Sequence, residues 1–255
     1  MKFYELSLND ESPYYGGPNG WKTHLSLLHK GLSFETVLAT HWELKYELTA
    51  RRGGQRTTSP AVELSDGTFL TDSFAIARWL EDTYPDAPSL FTGGDAGGAA
   101  ARAVGERYAR LVDVGLGDSD SEWAVWLELS VPGIAARVTK GDKNWEYFSS
   151  ELKWGPGGLD GVLQKAKAGD LITRAKHNVL PFVTVLKERP GEFLQGPQPG
   201  FADFVVFGRY AMCRNNMEPT VAKEIWEDQG SEIVQWVRGI VERYPSIEKH
   251  LRPYP

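Results

Sequence analysis

An α/β segment followed by an all-α segment is the fold class this sequence predicts, and three observations predict it. Apolar residues first follow strand and helix periods in turn, a stretch rich in Pro and Gly interrupts the chain, and helical periods dominate from there on. At 255 residues the chain has room for two domains, expected at 1–85 and 99–255 with a linker over 86–98.

Phe3-Tyr4-Glu5-Leu6-Ser7-Leu8 alternates apolar and polar residues as a half-buried strand does. After the turn-rich Tyr14-Tyr15-Gly16-Gly17-Pro18-Asn19-Gly20, residues Trp21, His24, Leu25, Leu27, Leu28 and Leu32 recur at helical spacing, closed by Lys30-Gly31. Phe34 to Thr40 is short, aromatic and β-branched, which predicts a second strand, parallel to the first. The charged segment from His41 to Thr58, interrupted by Gly53-Gly54, predicts an irregular helix or loop.

Thr57 to Ser73 organises this half. Pro60 opens an apolar run, where its missing N–H is tolerated at a strand's start or edge and its peptide bond can be cis. Asp66-Gly67 predicts a two-residue hairpin turn between two short strands. Asp72 or Ser73 then caps a helix through Phe74, Ile76, Ala77 and Leu80. A capped helix start beside an edge backbone is a place to hold a small, charged, peptide-like ligand.

Beyond the linker, long helices are predicted over Ala99–Leu116 and from Asp118 to about Thr139, with Pro132-Gly133 kinking or ending the second. Asp118-Ser119-Asp120-Ser121-Glu122 reads as a solvated cap, since adjacent carboxylates without a Gly turn do not wrap a cation. Trp145-Glu146-Tyr147-Phe148, then Gly155-Pro156-Gly157-Gly158, predicts an excursion of the kind that overhangs pockets, before a helix from Leu159 to about Lys187. A further helix opens at Phe201, where Asp203 can reach back to the amide of Gly200, and a last one spans Glu232–Arg243.

Composition narrows the function. A net charge of −6 with interspersed signs supplies no basic field for nucleic acid or an anionic membrane, so neither is expected as a partner. The single cysteine, Cys213, excludes an internal disulfide framework and reads as a non-catalytic thiol; with no apolar leader at Met1, a cytoplasmic location is expected. The five histidines show no metal-ligand spacing, so no metal is expected. Nine tryptophans either build a core or line a pocket for flat ligands.

The order β-α-β-β-β-α with a proline leading the third strand, then an all-helical half, resembles the glutathione transferase superfamily, and the resemblance covers nearly the whole chain. It implies a thioredoxin-like N-terminal domain with a C-terminal helical bundle lining a hydrophobic site. Ser59-Pro60, with Thr58 beside it, resembles the segment whose backbone pairs with the cysteinyl part of glutathione, and Asp72-Ser73 the pair that holds its γ-glutamyl end. Trp79 to Asp86 with Leu90-Phe91, and Gly200-Phe201-Ala202-Asp203, are similar to the family's closing and capping motifs.

His29-Lys30-Gly31, Gly53-Gly54, Leu70 to Ser73 and Pro199 to Gly208 are most similar to bacterial β-etherases and the fungal etherase-like (FuA-type) transferases; Pro18-Asn19-Gly20 with Lys22 resembles the yeast nitrogen-regulator-like class. Etherase-like enzymes carry Ser-Pro where this chain has Gly17-Pro18, and a Ser-Pro stands earlier, at Ser12-Pro13. The resemblance thus implies glutathione as co-substrate, a small aromatic or electrophilic partner, a role in detoxification and a homodimer.

A free thiol titrates near 8.5, so a transferase must favour the thiolate. Asn19 offers an amide N–H at the start of the first helix, and Ser12 a hydroxyl. The glycine carboxylate of glutathione wants a cation; of His41, Lys45, Arg51, Arg52 and Arg56, the choice falls on Lys45 and Arg56. Tyr14, Tyr15, Trp123, Trp145 and Tyr147 are the candidate walls of the hydrophobic site. Thiolate attack on an electrophilic or aryl-ether aromatic is the expected reaction. Its rivals are a carrier of hydrophobic aromatics that keeps the glutathione site, and a glutathione-dependent disulfide reductase or peroxidase.

Overall fold

The computed structural model describes residues 1–8, 12–93, 98–117, 120–189 and 191–253; the side chains of 116, 117, 120–124 and 168 are outside that description. Asp118 and Ser119, together with the side chains of Asp120, Ser121, Glu122 and Trp123, therefore lie outside that description.

Strand β1 (Lys2–Leu6), helix α1 (Pro18–His29) and strand β2 (Glu35–Ala39) form a parallel unit, with Lys2 opposite Glu35 and Leu6 opposite Ala39. On its other edge β1 pairs antiparallel with β3 (Ala61–Glu63), which pairs with β4 (Phe69–Thr71), so the sheet order is β2-β1-β3-β4. A π-helical turn, Glu43–Leu48, runs into a short α2 (Thr49–Arg51), and α3 (Ser73–Thr83) closes this half.

Two local expectations change. The hairpin loop takes three residues, because Leu64 N–H bonds to Thr68 O at 2.8 Å, and only Gly67 carries a positive φ; Asp66 accepts from Thr68 N–H at 2.9 Å, which holds a turn plus bulge. Strand β1 is central, so both of its faces are covered: Phe3 joins the main core beneath α1, while Tyr4 packs with Ala39, Leu44, Leu48 and Ala61 on the far side. Glu5, expected on a solvated face, is fully buried instead.

The helical half runs α4 (Gly98–Gly117), α5 (Asp120–Arg137), α6 (Lys143–Ser149), α7 (Glu151–Trp154), α8 (Gly158–Ala168), α9 (Leu171–Glu188), α10 (Phe201–Asn216), α11 (Pro219–Ile225) and α12 (Ser231–Arg243). Pro132 sits inside α5 without ending it, since buried Val131, Ile134 and Ala135 hold that face in the core. The helix expected from Leu159 to Lys187 is two, because Asp170 accepts from Thr173 N–H and starts α9 afresh.

Helix α10 is buried at nearly every position and joins the two halves through α1. Trp21 meets Phe207 edge to face at 5.6 Å, and one continuous apolar core takes in Leu25, Ile76, Phe91, Phe204 and Ile240. The approach is close: a Cβ on Gly208 would lie 2.4 Å from Pro18 O, so only glycine lets α10 carry the start of α1. Lys30 pairs with Glu81 at 2.8 Å inside the protein, and Glu81 also accepts from Leu90 N–H, which ties the end of α1 to α3 and the linker.

Candidate active site

A cavity of about 470 Å³ opens between the two halves. From the first half it is lined by Leu6, the segment Gly16–Gly20, His41, Leu44, Lys45 and Arg56–Ser59; from the second by Leu127, Ile134, Tyr147, Phe148, Lys153, Trp154 and Met212. A chamber of this size, apolar on one wall and polar on the other, fits a small molecule.

Its polar wall is made by two local features. Gly17, extended at φ −116° and ψ 160°, precedes α1 without any side-chain cap, and Pro18 occupies the first helical position. The uncapped first turn, including Asn19 and Gly20, therefore lines the cavity with its partial positive charge. Opposite stands Ser59, ahead of a cis bond to Pro60, and among the described residues no main-chain group pairs with the backbone of Ser59. Thr57 N–H donates to Thr49 Oγ1 at 3.0 Å and Arg52 holds Thr57 Oγ1 at 3.1 Å, so the segment is pinned from behind.

Beneath this wall lies Glu5. Its Oε1 accepts from Leu6 N–H at 2.7 Å and from Ser59 Oγ at 3.4 Å, while Oε2 has no hydrogen-bond partner. A Cβ on Gly20 would fall 1.9 Å from Oε2, so α1 can pass over the carboxyl only because residue 20 has no side chain. Burial pushes the Glu5 carboxyl up to about 8, leaving it mostly protonated at neutral pH.

Cations mark the far end. Lys45 Nζ lies 5.3 Å from the centre of the Tyr147 ring, and Arg56 is exposed at the rim. Burial, with the charges of Arg56 and Lys45, brings the Lys153 amine down to about 8, and burial holds the His41 imidazole well below its usual value. Cys213 is outside the cavity, and burial lifts its thiol to about 12.

The remaining candidates are placed elsewhere. Asp72 caps α3 by accepting from Ala75 N–H at 2.8 Å, at a strained φ of 72°, with Ser73 buried behind it; neither lines the cavity. Ser12 accepts from Tyr14 N–H at 3.2 Å and from Arg137 at 3.5 Å on the loop before α1, also away from the lining. Tyr15 is buried against His250, hydroxyl to Nε2 at 3.0 Å; Tyr14 borders an outer groove with Arg214; Trp145 borders a shallow depression beside Lys140 and Pro132. Tyr14, Tyr15 and Trp145 are thus held apart from the cavity by their own packing. Among the described residues no group of three or more His, Cys, Asp or Glu is arranged to hold a metal, and no helix is long and apolar enough to cross a membrane.

The family model for the glutathione S-transferase N-terminal domain matches residues 16–83, the span that builds the polar wall. The glutathione S-transferase-like protein ustS of Aspergillus flavus is 28% identical across 87% of this chain and 84% of its own length. Residues 16–83 are thus those of a glutathione S-transferase N-terminal domain, and the chain is similar over most of its length to a glutathione S-transferase-like protein. Solved transferases share its fold: GSTFuA3 of Phanerochaete chrysosporium is 19% identical with a TM-score of 0.68 over 95% of this chain and 96% of that one. A glutathione S-transferase of Ceriporiopsis subvermispora, in complex with glutathione, is 18% identical with a TM-score of 0.69 over 100% and 99%. Of the residues that line this cavity or lie beneath it, sequence reasoning missed Glu5, Phe148, Lys153, Trp154 and Met212. Lys153-Trp154 directly precedes Gly155-Pro156-Gly157-Gly158, so the predicted excursion was the available signal; Glu5 had none, because its burial depends on strand order.

Proposed function

We propose that the cavity binds glutathione along its polar wall and that the thiolate attacks an aromatic electrophile, aryl ethers included, held against the apolar wall. The observation that carries this reading is the uncapped first turn of α1, with Asn19 in the lining, facing the unpaired backbone of Ser59. An extended cysteinyl backbone pairs with Ser59, which sets the sulfur beside a helix start that favours negative charge. Lys45 and Arg56 take the glycine carboxylate, and Asp72-Ser73, outside the cavity lining, take the γ-glutamyl end where the tripeptide extends beyond it. With an aryl ether, the sulfur bonds to the attacked carbon as the C–O bond breaks, and the leaving phenolate takes a proton from solvent. The protein contributes positioning and thiolate stabilisation. Val104 and Leu111, two turns apart on α4 and 72% and 61% exposed, offer the apolar face of a homodimer.

Asn19→Ala is expected to raise the pKa of bound glutathione by about 1 to 2 pH units and to depress turnover at pH 7 correspondingly, with affinity changing less, since charge-assisted hydrogen bonds contribute roughly 1.5–3 kcal/mol. Thiolate absorbance titrated against pH reads it, with Ser12→Ala as control. A shift in the Ser12 variant alone would transfer the role to that hydroxyl. Calorimetry with Asp72→Ala is expected to show at least about ten-fold weaker glutathione binding, about 1.4 kcal/mol; unchanged affinity removes the pair from the site.

The apolar wall of Leu127, Ile134, Phe148 and Met212 also suits a carrier of aromatics, the reading that would stand if neither variant moved the titration and wild-type turnover were low. A mixed disulfide with the enzyme is disfavoured, because the one thiol is buried in α10 and held protonated.

A further inference from the structure

The lining of the cavity holds the cations Lys45, Arg56 and Lys153, and among its described residues no Asp or Glu. No ion pair engages any of these cations among the described residues, in a protein whose net charge is −6. Elsewhere the protein pairs its buried amines: Lys22 has Asp113 and Lys30 has Glu81. A desolvated amine facing two other cations is destabilised in its charged form unless an anion arrives.

On the reading proposed above, one glutathione glycine carboxylate meets Lys45 and Arg56, which come from the first half. Lys153 comes from α7 in the other half, and its surroundings differ. Its Nζ lies 5.1 Å from the ring of Trp154, and Tyr147 and Phe148 line the same wall. An aromatic ring on that wall places a ring-borne anion within reach of an amine that has no acidic partner among the described residues.

We infer that Lys153 is a specificity-determining residue that selects electrophiles or ligands carrying an anionic group on an aromatic ring, an aryl carboxylate or phenolate being the class. This inference deepens the glutathione transferase reading, and its test is chosen so that the two can fail separately.

Dissociation constants of 2-naphthoate and its neutral analogue 2-naphthamide are measured by calorimetry on the full chain, with and without S-methylglutathione, which cannot react. Wild type is expected to prefer the carboxylate by about ten-fold. Lys153→Met and Lys153→Gln should erase that preference, Lys153→Arg should restore it, and S-methylglutathione affinity should change less than about three-fold in all of them. Equal binding of the two probes by wild type, or a preference that survives in both neutral variants, overturns the inference. A selective loss of S-methylglutathione affinity overturns it too, because Lys153 would then serve the glycine carboxylate. If S-methylglutathione fails to bind while the Lys153-dependent preference persists, the anion site stands and the transferase reading falls.

Discussion

Asp203→Ala is expected to destabilise the fold by about 4 kcal/mol, read as a lowered midpoint in urea unfolding. The carboxylate is fully buried at the start of α10 and accepts three hydrogen bonds: Gly200 N–H at 3.0 Å, Leu194 N–H at 2.8 Å and Trp236 Nε1–H at 2.8 Å. Truncation strands all three donors away from water, each worth about 1–3 kcal/mol, although relaxation recovers part. The effect reaches the site, because α10 supports the first turn of α1 through Gly208 and supplies Met212 to the cavity. Asp203→Asn should lose less, since an amide oxygen can still accept from Leu194 and Trp236. A loss below about 1 kcal/mol for the Ala variant would mean that water replaces the carboxylate, contrary to its burial.

How far such features can be read from sequence depends on how local their cause is. Asp203 reaching back to Gly200, Asp72 capping α3 and the hairpin around Asp66-Gly67 are each settled within a few residues, so residue type and spacing suffice. Even there the loop length escaped, because three residues rather than two follows from where β3 and β4 stop pairing. The break at Gly169-Asp170 was hidden by apolar periodicity on both sides. In the cavity, Asn19, Lys45, Arg56, Thr58 and Ser59 come from segments whose turn chemistry is visible, and Lys153 and Trp154 from a helix whose approach to them is purely tertiary. Ser12 and Tyr15 carry the right groups for a site, yet Arg137 and His250, which hold them, are distant in sequence.

Glu5 is the furthest from legibility, and it carries the other large expected effect. Its folded value is about 8 against an ordinary 4.5, so between those pH values the native state holds a proton that the unfolded chain has lost. Stability from this group is therefore present below about pH 4.5 and declines as pH rises to about 8. No charged partner from α1, β2 or β3 offsets the burial; Tyr15, on the loop before α1, is the titratable neighbour that feels Glu5, and its own hydroxyl is pushed up. The carboxyl should thus account for about 3 kcal/mol of lost stability between pH 5 and pH 8. Glu5→Gln should remove that slope, whatever fixed penalty its buried amide adds, so the informative quantity is the difference between variant and wild type at the two pH values. The same substitution keeps an acceptor for Leu6 N–H and Ser59 Oγ, so glutathione affinity at pH 6 should change less than about three-fold. At pH 8.5 the wild type carries a buried negative charge beside the start of α1, in competition with the thiolate, and the variant does not. The variant's thiolate should then form at a lower pH than the wild type's. Urea unfolding at pH 5 and pH 8, with thiolate titration of the bound complex, tests both halves, and parallel stability profiles for the two proteins would show that Glu5 stays ionised in the fold.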